Sequence, residues 1–321
     1  MQREGLGAPP GTPKSTMKRS EGAPMPASKA SLALPILAGV MWGSIGVFVR
    51  FLDAGGLDNG TIVCTRMIAS SVILGAFMLV KDRSSFKVPK RAVPVLIVGA
   101  VVGSAYMNIV YNVAIMNLNL ALSSVLIGLF AIWSLLLGRV LFGEALTKRK
   151  VACAAVALFG VVLISGVLEQ GAAASFSWFG LFMGVITGMM YAVNGATTRA
   201  MSNWGMKAST INFWYFAIGS VSLLPLCHWD QVVSYVAADP LASSFWLISQ
   251  AVACAVLPYV LFAMALAKMD MGTASTLELV EPAAAMVFGL VLFGEIPTPL
   301  MAVGVAVVIA AISRIYAEKR F

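Results

Sequence analysis

The chain consists largely of apolar stretches of about 20 residues, separated by short polar segments. About 20 apolar residues in a helix cross a hydrocarbon core of ~30 Å. Charged residues make up only 11% of the chain and hydrophobic residues 60%, whereas soluble domains have about 25% charged residues. These observations exclude a soluble fold and predict an all-α membrane protein with ten transmembrane helices.

The ten predicted spans fall into two sets of five. The first set is Ser31–Leu52, Thr61–Val80, Ala92–Met116, Asn119–Phe142 and Val151–Val167. The second set is Trp178–Thr198, Ser209–Cys227, Phe245–Ala267, Met271–Gly294 and Leu300–Tyr316. Residues 1–30 are rich in Pro, Gly, Ser and basic residues, so they are expected to form a disordered cytoplasmic tail.

Lys and Arg are concentrated in one set of loops. Cytoplasmic loops of membrane proteins carry an excess of positive charge. With the N-terminus inside, all but three of the 22 basic residues lie in internal segments, and Arg50, Arg66 and Arg139 lie within or at the ends of spans. The predicted external loops carry the acids Asp53, Asp58, Glu169, Asp230, Asp239 and Glu295. We therefore expect a multi-pass protein of the cell membrane with both termini in the cytoplasm.

The net charge of +8 does not indicate a nucleic-acid partner, because the basic residues form short runs between apolar stretches. They are better explained as determinants of topology. The four cysteines have no paired spacing, and the single histidine, His228, lies in a predicted external loop. Neither a metal site nor any cofactor is expected.

The two sets of spans are related by an internal repeat. An offset of 149 pairs Gly39, Gly46 and Arg50 with Gly188, Gly195 and Arg199. An offset of 151 pairs the Leu-Phe-Gly-Glu ending at Glu144 with the same four residues ending at Glu295. Because each unit has an odd number of spans, the second copy must be inverted. Inverted repeats are typical of transporters that bind substrate near the membrane midplane. The expected units are residues 31–168 and 178–316.

The sequence resembles the EamA family of the drug/metabolite transporter superfamily over residues 31–316. The resemblance depends on Met41-Trp42-Gly43-Ser44, Arg66, Leu279-Val280-Glu281-Pro282 and Leu292-Phe293-Gly294-Glu295. It implies a transporter that exports amino acids, amines or related compounds. Phe130-Ala131 stands in the fourth span where the ninth has Glu281-Pro282. The helix break that the family pattern implies is therefore expected in the second half and not in the first.

Two acids in the ninth span are the clearest candidates for a substrate site. Carboxylates in mid-membrane are costly and usually face a cavity, a partner or a proton path. Glu278 and Glu281 share one helix face, and Pro282 frees the carbonyl of Glu278. Because two acids on one such face resist ionising together, proton coupling is a hypothesis. Arg66 is predicted near the external end of its span, with its side chain extending to the surface.

Aromatic and amide side chains supply the other candidate substrate contacts. Small ligands are enclosed mainly by apolar and aromatic groups with a few polar anchors. Trp42 and its repeat partner Tyr191 are expected on opposite walls of a central cavity. The remaining candidates are Asn108, Asn112, Asn194 and Tyr259, of which Tyr259 is the repeat equivalent of Asn108. For each of these residues, ordinary packing between helices is the alternative.

Catalytic and nucleotide-binding motifs are absent from the sequence, including the phosphate-binding loop of ATPases. The prediction is therefore a secondary carrier and not an enzyme, acting on a small molecule by alternating access as a monomer or a homodimer. A passive channel is the second interpretation, and an intramembrane enzyme is a third. A channel would require a continuous polar pathway instead of one mid-membrane cluster.

Overall fold

A computed structural model of the chain describes residues 29–81, 83–117, 126–169 and 177–317. These residues form helices joined by short turns, without a β-strand among them. All but the last two residues of the predicted N-terminal tail lie outside the described part. In chain order the helices are α1 Lys29–Gly43, α2 Ile45–Ala54, α3 Asn59–Lys81, α4 Val93–Ala100, α5 Met107–Asn117, α6 Phe130–Phe142, α7 Lys148–Ile164, α8 Trp178–Asn203, α9 Ala208–Leu223, α10 Trp229–Ala238, α11 Pro240–Ala251, α12 Leu257–Leu266, α13 Met271–Glu278, α14 Glu281–Phe293 and α15 Pro299–Ala317.

Several of these helices combine into longer apolar stretches. Within the described residues, six stretches are long and apolar enough to cross a membrane: Ala30–Ala54, Asn59–Lys81, Lys90–Tyr111, Trp178–Asn203, Pro240–Leu266 and Met271–Phe293. A seventh is obtained if Ala208–Leu226 and Trp229–Ala238, which meet at 99°, count as one span. The helices Leu126–Phe142 and Pro299–Arg314 are apolar but shorter. The chain is thus a multi-pass membrane protein whose described residues are all-helical, with six or seven of the ten predicted spans supported by length and composition.

The two halves end a helix in the same way. Gly143 and Gly294 follow α6 and α14 with φ of 69° and 68°, the left-handed conformation that glycine adopts most easily. The N–H of the next residue, Glu144 or Glu295, then donates to a carbonyl of the preceding turn, at 3.1 Å and 3.2 Å. The repeated Leu-Phe-Gly-Glu sequence therefore corresponds to a repeated local structure.

Each half also contains a π-helical turn at an equivalent position. These turns are Val101–Tyr106, between α4 and α5, and Val252–Val256, between α11 and α12. Their first residues are 151 positions apart in the sequence, the same offset that relates the Leu-Phe-Gly-Glu segments. Such turns widen a helix locally and are frequent at functional sites.

A helix break occurs in both halves, so the expectation of a break only in the second half is wrong. The ninth predicted span is interrupted between Glu278 and Glu281. A turn at Leu129 interrupts the fourth span directly before α6, although no proline is present there.

Equivalent glycines lie at both breaks, and each lets a neighbouring helix approach the interrupted backbone closely. A Cβ atom on Gly39 of α1 would lie 2.7 Å from the carbonyl oxygen of Glu278. A Cβ atom on Gly188 of α8 would lie 3.0 Å from the carbonyl oxygen of Leu126. The break at Leu129, which has no proline, is therefore accompanied by close packing of α8 from the other half.

Candidate functional site

An aromatic cluster lies in the largest buried core, where side chains from both halves meet. Trp42 of α1 is 3% exposed, and its ring packs edge-on against Tyr191 of α8 and Tyr259 of α12, with centroid distances of 6.1 Å and 5.1 Å. Phe262, one turn after Tyr259, packs against the same indole at 5.7 Å. The three aromatic residues selected from the sequence thus form one cluster, with Trp42 and Tyr191 in contact. Their role as substrate contacts stays a prediction.

Glu278 joins this cluster at the C-terminal end of α13. Its side chain is fully buried, and one carboxylate oxygen accepts a hydrogen bond from the hydroxyl of Tyr191. The other carboxylate oxygen has no hydrogen-bond partner among the described residues. A buried carboxylate with a free oxygen is costly, so a group that donates to this oxygen would be bound favourably.

Glu281 begins α14 on the other side of the break and is partly buried. Gly43 of α1 packs closely against it, since a Cβ atom there would lie 2.9 Å from the carbonyl oxygen of Glu281. Gly43 directly follows Trp42, and Glu278 accepts a hydrogen bond from Tyr191, so both acids lie beside the same aromatic cluster.

Arg66 lies inside the bundle, so the prediction that its side chain reaches the external surface is wrong. The residue is 7% exposed, and its guanidinium donates to the side-chain oxygen of Asn108 at 3.2 Å. The amide nitrogen of Asn108 donates to the carbonyl of Ser104, at 2.9 Å, within the first π-helical turn. The widened turn and the packing of α3 against neighbouring helices bring Asn108 to Arg66. Asn108 belongs to a different span, so the sequence of the span that contains Arg66 does not reveal this partner.

The two other asparagines selected from the sequence differ in what the structure describes. Asn194 of α8 is 2% exposed, and its amide nitrogen has no partner among the described residues. Gly103 of the first π-helical turn packs against the backbone of Asn194, because a Cβ atom on Gly103 would lie 2.8 Å from the backbone nitrogen of Asn194. Asn112 lies on α5, and its side chain falls outside the described part of the structure.

Sequence reasoning missed two residues of this region. Phe130 packs against Tyr191 with ring centroids 4.7 Å apart. Gln250 is fully buried at the end of α11, and neither end of its amide has a partner among the described residues. The offset of 151 pairs Phe130 with Glu281, so the correspondence already visible in the sequence was the signal that could have identified Phe130 as a residue of the site. Gln250 has no comparable signal.

An arginine–glutamate pair lies at each end of the span Met271–Phe293. At the first end, Arg199 lies 4.0 Å from Glu144, with side chains 15% and 12% exposed, and Glu144 accepts the N–H of Met271 at 3.0 Å. At the other end, Arg50 lies 2.6 Å from Glu295, with side chains 49% and 54% exposed. Both arginines and both glutamates are repeat equivalents.

The first end carries additional polar contacts. Arg199 also donates to the carbonyl oxygens of Leu266 and Met269, the latter at 2.8 Å. Lys150 pairs with Asp270 at 3.1 Å, with both side chains largely buried. The two ends of the span thus carry equivalent pairs, but the Arg199 pair is more deeply buried and has more hydrogen bonds around it.

Metal binding has no support in the described part of the chain, where no group of three or more His, Cys, Asp or Glu side chains could hold an ion. The four cysteines are free thiols. The polar groups of the candidate site are therefore carboxylate, guanidinium, phenol and amide groups.

Two known proteins similar to this chain are named as transporters. A probable terminal-alkyne amino-acid exporter of Streptantibioticus cattleyicolor is 25% identical over 290 residues, which cover 90% of this chain and 93% of the exporter. An uncharacterized transporter of Archaeoglobus fulgidus is 25% identical over 281 residues, covering 86% of this chain and 93% of that protein.

A solved crystal structure has the same fold, with a TM-score of 0.71 at 14% sequence identity, over 89% of this chain and 96% of that one. The model of the EamA-like transporter family matches residues 29–166 and again residues 178–317. Because the two matches together span most of the sequence, the chain belongs to the EamA-like transporter family.

Proposed function

We propose that this protein is a secondary carrier that exports a small amine-containing metabolite, such as an amino acid or an amine, across the cell membrane. The observation that carries the proposal is Glu278, a fully buried carboxylate with one unpartnered oxygen beside the Trp42 and Tyr191 rings. An ammonium group would donate to this oxygen and interact with the aromatic rings. The exporter from Streptantibioticus cattleyicolor supports the class and the direction.

In this proposal the chain crosses the membrane ten times, as two inverted five-helix units of residues 31–168 and 178–316. The repeated helix ends, π-helical turns and helix breaks support the duplication. Both termini and the loop between Lys81 and Arg91 lie in the cytoplasm. Single cysteines in that loop should be protected from an impermeant external thiol reagent in intact cells, and their labelling would contradict this topology.

Transport proceeds by alternating access around the Glu278 site. The Arg199–Glu144 and Arg50–Glu295 pairs lie at opposite ends of a span of 23 residues, or about 35 Å at 1.5 Å per residue. Opening one pair while the other stays closed would expose the site to one side at a time. Since both halves of the site belong to one chain, a monomer is sufficient and a homodimer would contain two separate sites.

Counterflow in proteoliposomes tests the carrier function. Vesicles loaded with an unlabelled amino acid or amine should accumulate the same labelled compound transiently, and this accumulation should saturate. Glu278→Gln, which keeps the size of the side chain and removes its charge, should abolish it, while the control Glu169→Gln in an exposed turn should not. Unsaturable flux would indicate a channel. Normal counterflow by Glu278→Gln would return Glu278 to a structural role.

Proton coupling belongs to the same proposal, because the fully buried carboxylate of Glu278, close to Glu281 in the sequence, would take up a proton when the site opens to water without a bound ammonium group. An imposed pH gradient should therefore drive uptake in wild-type vesicles and have no effect on Glu278→Gln. Equal uptake by the wild type with and without the gradient would contradict coupling and leave the carrier function unaffected.

A further inference from the structure

Arg66 is a buried cation that has no carboxylate partner among the described residues, where its guanidinium donates to the neutral side-chain oxygen of Asn108. Burying a charge without an opposite charge costs several kcal/mol. A guanidinium has five N–H donors, and a single side-chain acceptor leaves most of them available. An anionic group bound here would therefore be stabilised by both charge and hydrogen bonds.

The surroundings of Arg66 are arranged for a polar ligand. The side-chain amide N–H of Asn108 donates to the carbonyl of Ser104, and this hydrogen bond holds the side-chain oxygen of Asn108 toward Arg66. One turn after Arg66 in α3, Ser70 contacts the carbonyl of Ala251 at 3.4 Å. Gln250, the residue before Ala251, is fully buried with both ends of its amide unpartnered within the described chain. Buried amides without partners are rare unless a ligand or water completes them.

Arg66 is also connected to the Glu278 site by one aromatic surface. Tyr259 packs against the buried cluster that includes Trp42 and Tyr191, and also against the buried cluster that includes Met67, the residue after Arg66 in α3. Its ring packs on Trp42, which packs in turn on Tyr191, the hydrogen-bond donor to Glu278. A cationic group and an anionic group thus border the same aromatic cluster.

We propose that Arg66, oriented by Asn108, binds the carboxylate of the transported solute while Glu278 binds its ammonium group. The substrate class is then a zwitterion with a free carboxylate, that is, an amino acid and not a simple amine. Arg66 is the residue that makes this distinction, because a guanidinium pairs with a carboxylate through two parallel hydrogen bonds. This inference extends the proposed function and depends on it.

Matched compounds test the inference on the purified full-length protein. Leucine, phenylalanine and threonine are each compared with their amide and their decarboxylated amine, which keep the side chain and ammonium group but lack the carboxylate. Binding is measured from the rise in melting temperature as a function of concentration. For at least one parent, the free amino acid should bind about 10- to 100-fold more tightly than its amide or amine, as expected for hydrogen bonds between charged groups.

Variants at Arg66 separate recognition from folding. Arg66→Met should reduce amino-acid affinity to that of the amide and leave the affinity for the amide unchanged. Arg66→Lys keeps the positive charge but cannot form two parallel hydrogen bonds, so its preference for the free amino acid over the amide should be intermediate. This variant provides the test if Arg66→Met does not fold. Arg139→Met, at an exposed position of α6, is the control and should behave as the wild type.

Two results would overturn the inference: an amine that binds as tightly as its parent amino acid, or an Arg66→Met protein that keeps the preference for the free carboxylate. Absence of binding by every free amino acid tested would also overturn it. Counterflow of an amine that depends on Glu278 would then leave the proposed carrier function standing. Loss of counterflow for every compound would instead contradict the carrier function itself.

Discussion

Tyr191 positions the carboxylate of Glu278 through the hydrogen bond from its hydroxyl. Tyr191→Phe removes this donor and keeps the ring contact with Trp42. Both oxygens of a buried carboxylate would then lack a protein partner, so we expect a loss of stability of about 1–3 kcal/mol. Thermal unfolding of the purified variant measures the stability, and counterflow should be reduced as well. Tyr106→Phe, at a position 40% exposed, is the control. Unchanged stability and transport in Tyr191→Phe would show that the hydroxyl is dispensable.

Asp58 lies in the turn before α3, outside the spans, and its contribution to folding stability depends on pH. Burial by itself would raise its pKa, but the N–H of Thr61 at 2.8 Å and the His228 ring at 2.5 Å bind the carboxylate, and the pKa ends below its usual value of 3.8. Since the folded-state pKa is lowered, this contribution to stability is present above the usual pKa and is lost as pH falls through the folded value.

We therefore expect Asp58→Asn to lower stability at neutral pH by about 1 kcal/mol, as for loss of a helix N-cap. The difference from the wild type should shrink as the pH falls below about 4, the unfolded-state value of an aspartate. Melting temperatures between pH 7 and pH 3 measure this. A difference between Asp58→Asn and the wild type that stays constant over this pH range would contradict the prediction.

At the scale of elements, helices from different halves approach each other closely at the helix breaks. Gly39→Ala places a methyl group where a Cβ atom would lie 2.7 Å from the Glu278 carbonyl oxygen, so α1 must move away from the break. Overpacking of this kind costs about 1–3 kcal/mol.

The matched control is Gly46→Ala in α2, because nothing lies within 4 Å of a Cβ atom there. Alanine has the higher helix propensity, so this variant should be neutral or slightly stabilised. Melting temperatures of the two variants should therefore shift in different directions relative to the wild type or differ clearly in size. If Gly39→Ala is as stable as Gly46→Ala, α1 can accommodate a methyl group beside the Glu278 carbonyl oxygen without loss of stability.

At the scale of the whole molecule, the two arginine–glutamate pairs are expected to contribute unequally to stability. Arg199→Gln removes a largely buried partner of Glu144 and donors to two carbonyls, so we expect a loss of about 1–3 kcal/mol. Arg50→Gln removes a half-exposed pair and a contact with the Phe293 ring, and should cost less than about 1 kcal/mol after screening by solvent.

Thermal unfolding of both variants in the same detergent tests this asymmetry. If Arg50→Gln is the more destabilised protein, the Arg199 end is not the more firmly closed one. Because the two positions are repeat equivalents, each variant serves as the control for the other.

Features with a local cause were predictable from the sequence. The length of the apolar stretches indicated helices, and the repeated Leu-Phe-Gly-Glu segments indicated the duplication, which the family model confirms by matching twice. The acids at Glu278 and Glu281 were identifiable because charges within apolar stretches are expensive. The signals for the helices and for the two acids each lie within about 25 consecutive residues, and the duplication is recognised by comparing two such segments.

Tertiary structure decided where the side chains of different segments meet. The sequence could not show that Arg66 would be buried against Asn108, or that a turn at Leu129 would form without proline. It also could not show that Tyr191 would donate to Glu278 across 87 positions of the chain. The physical reason is that hydrophobic periodicity sets which residues can form a spanning helix, whereas the burial of a polar side chain depends on which partner the neighbouring helices bring within hydrogen-bonding distance.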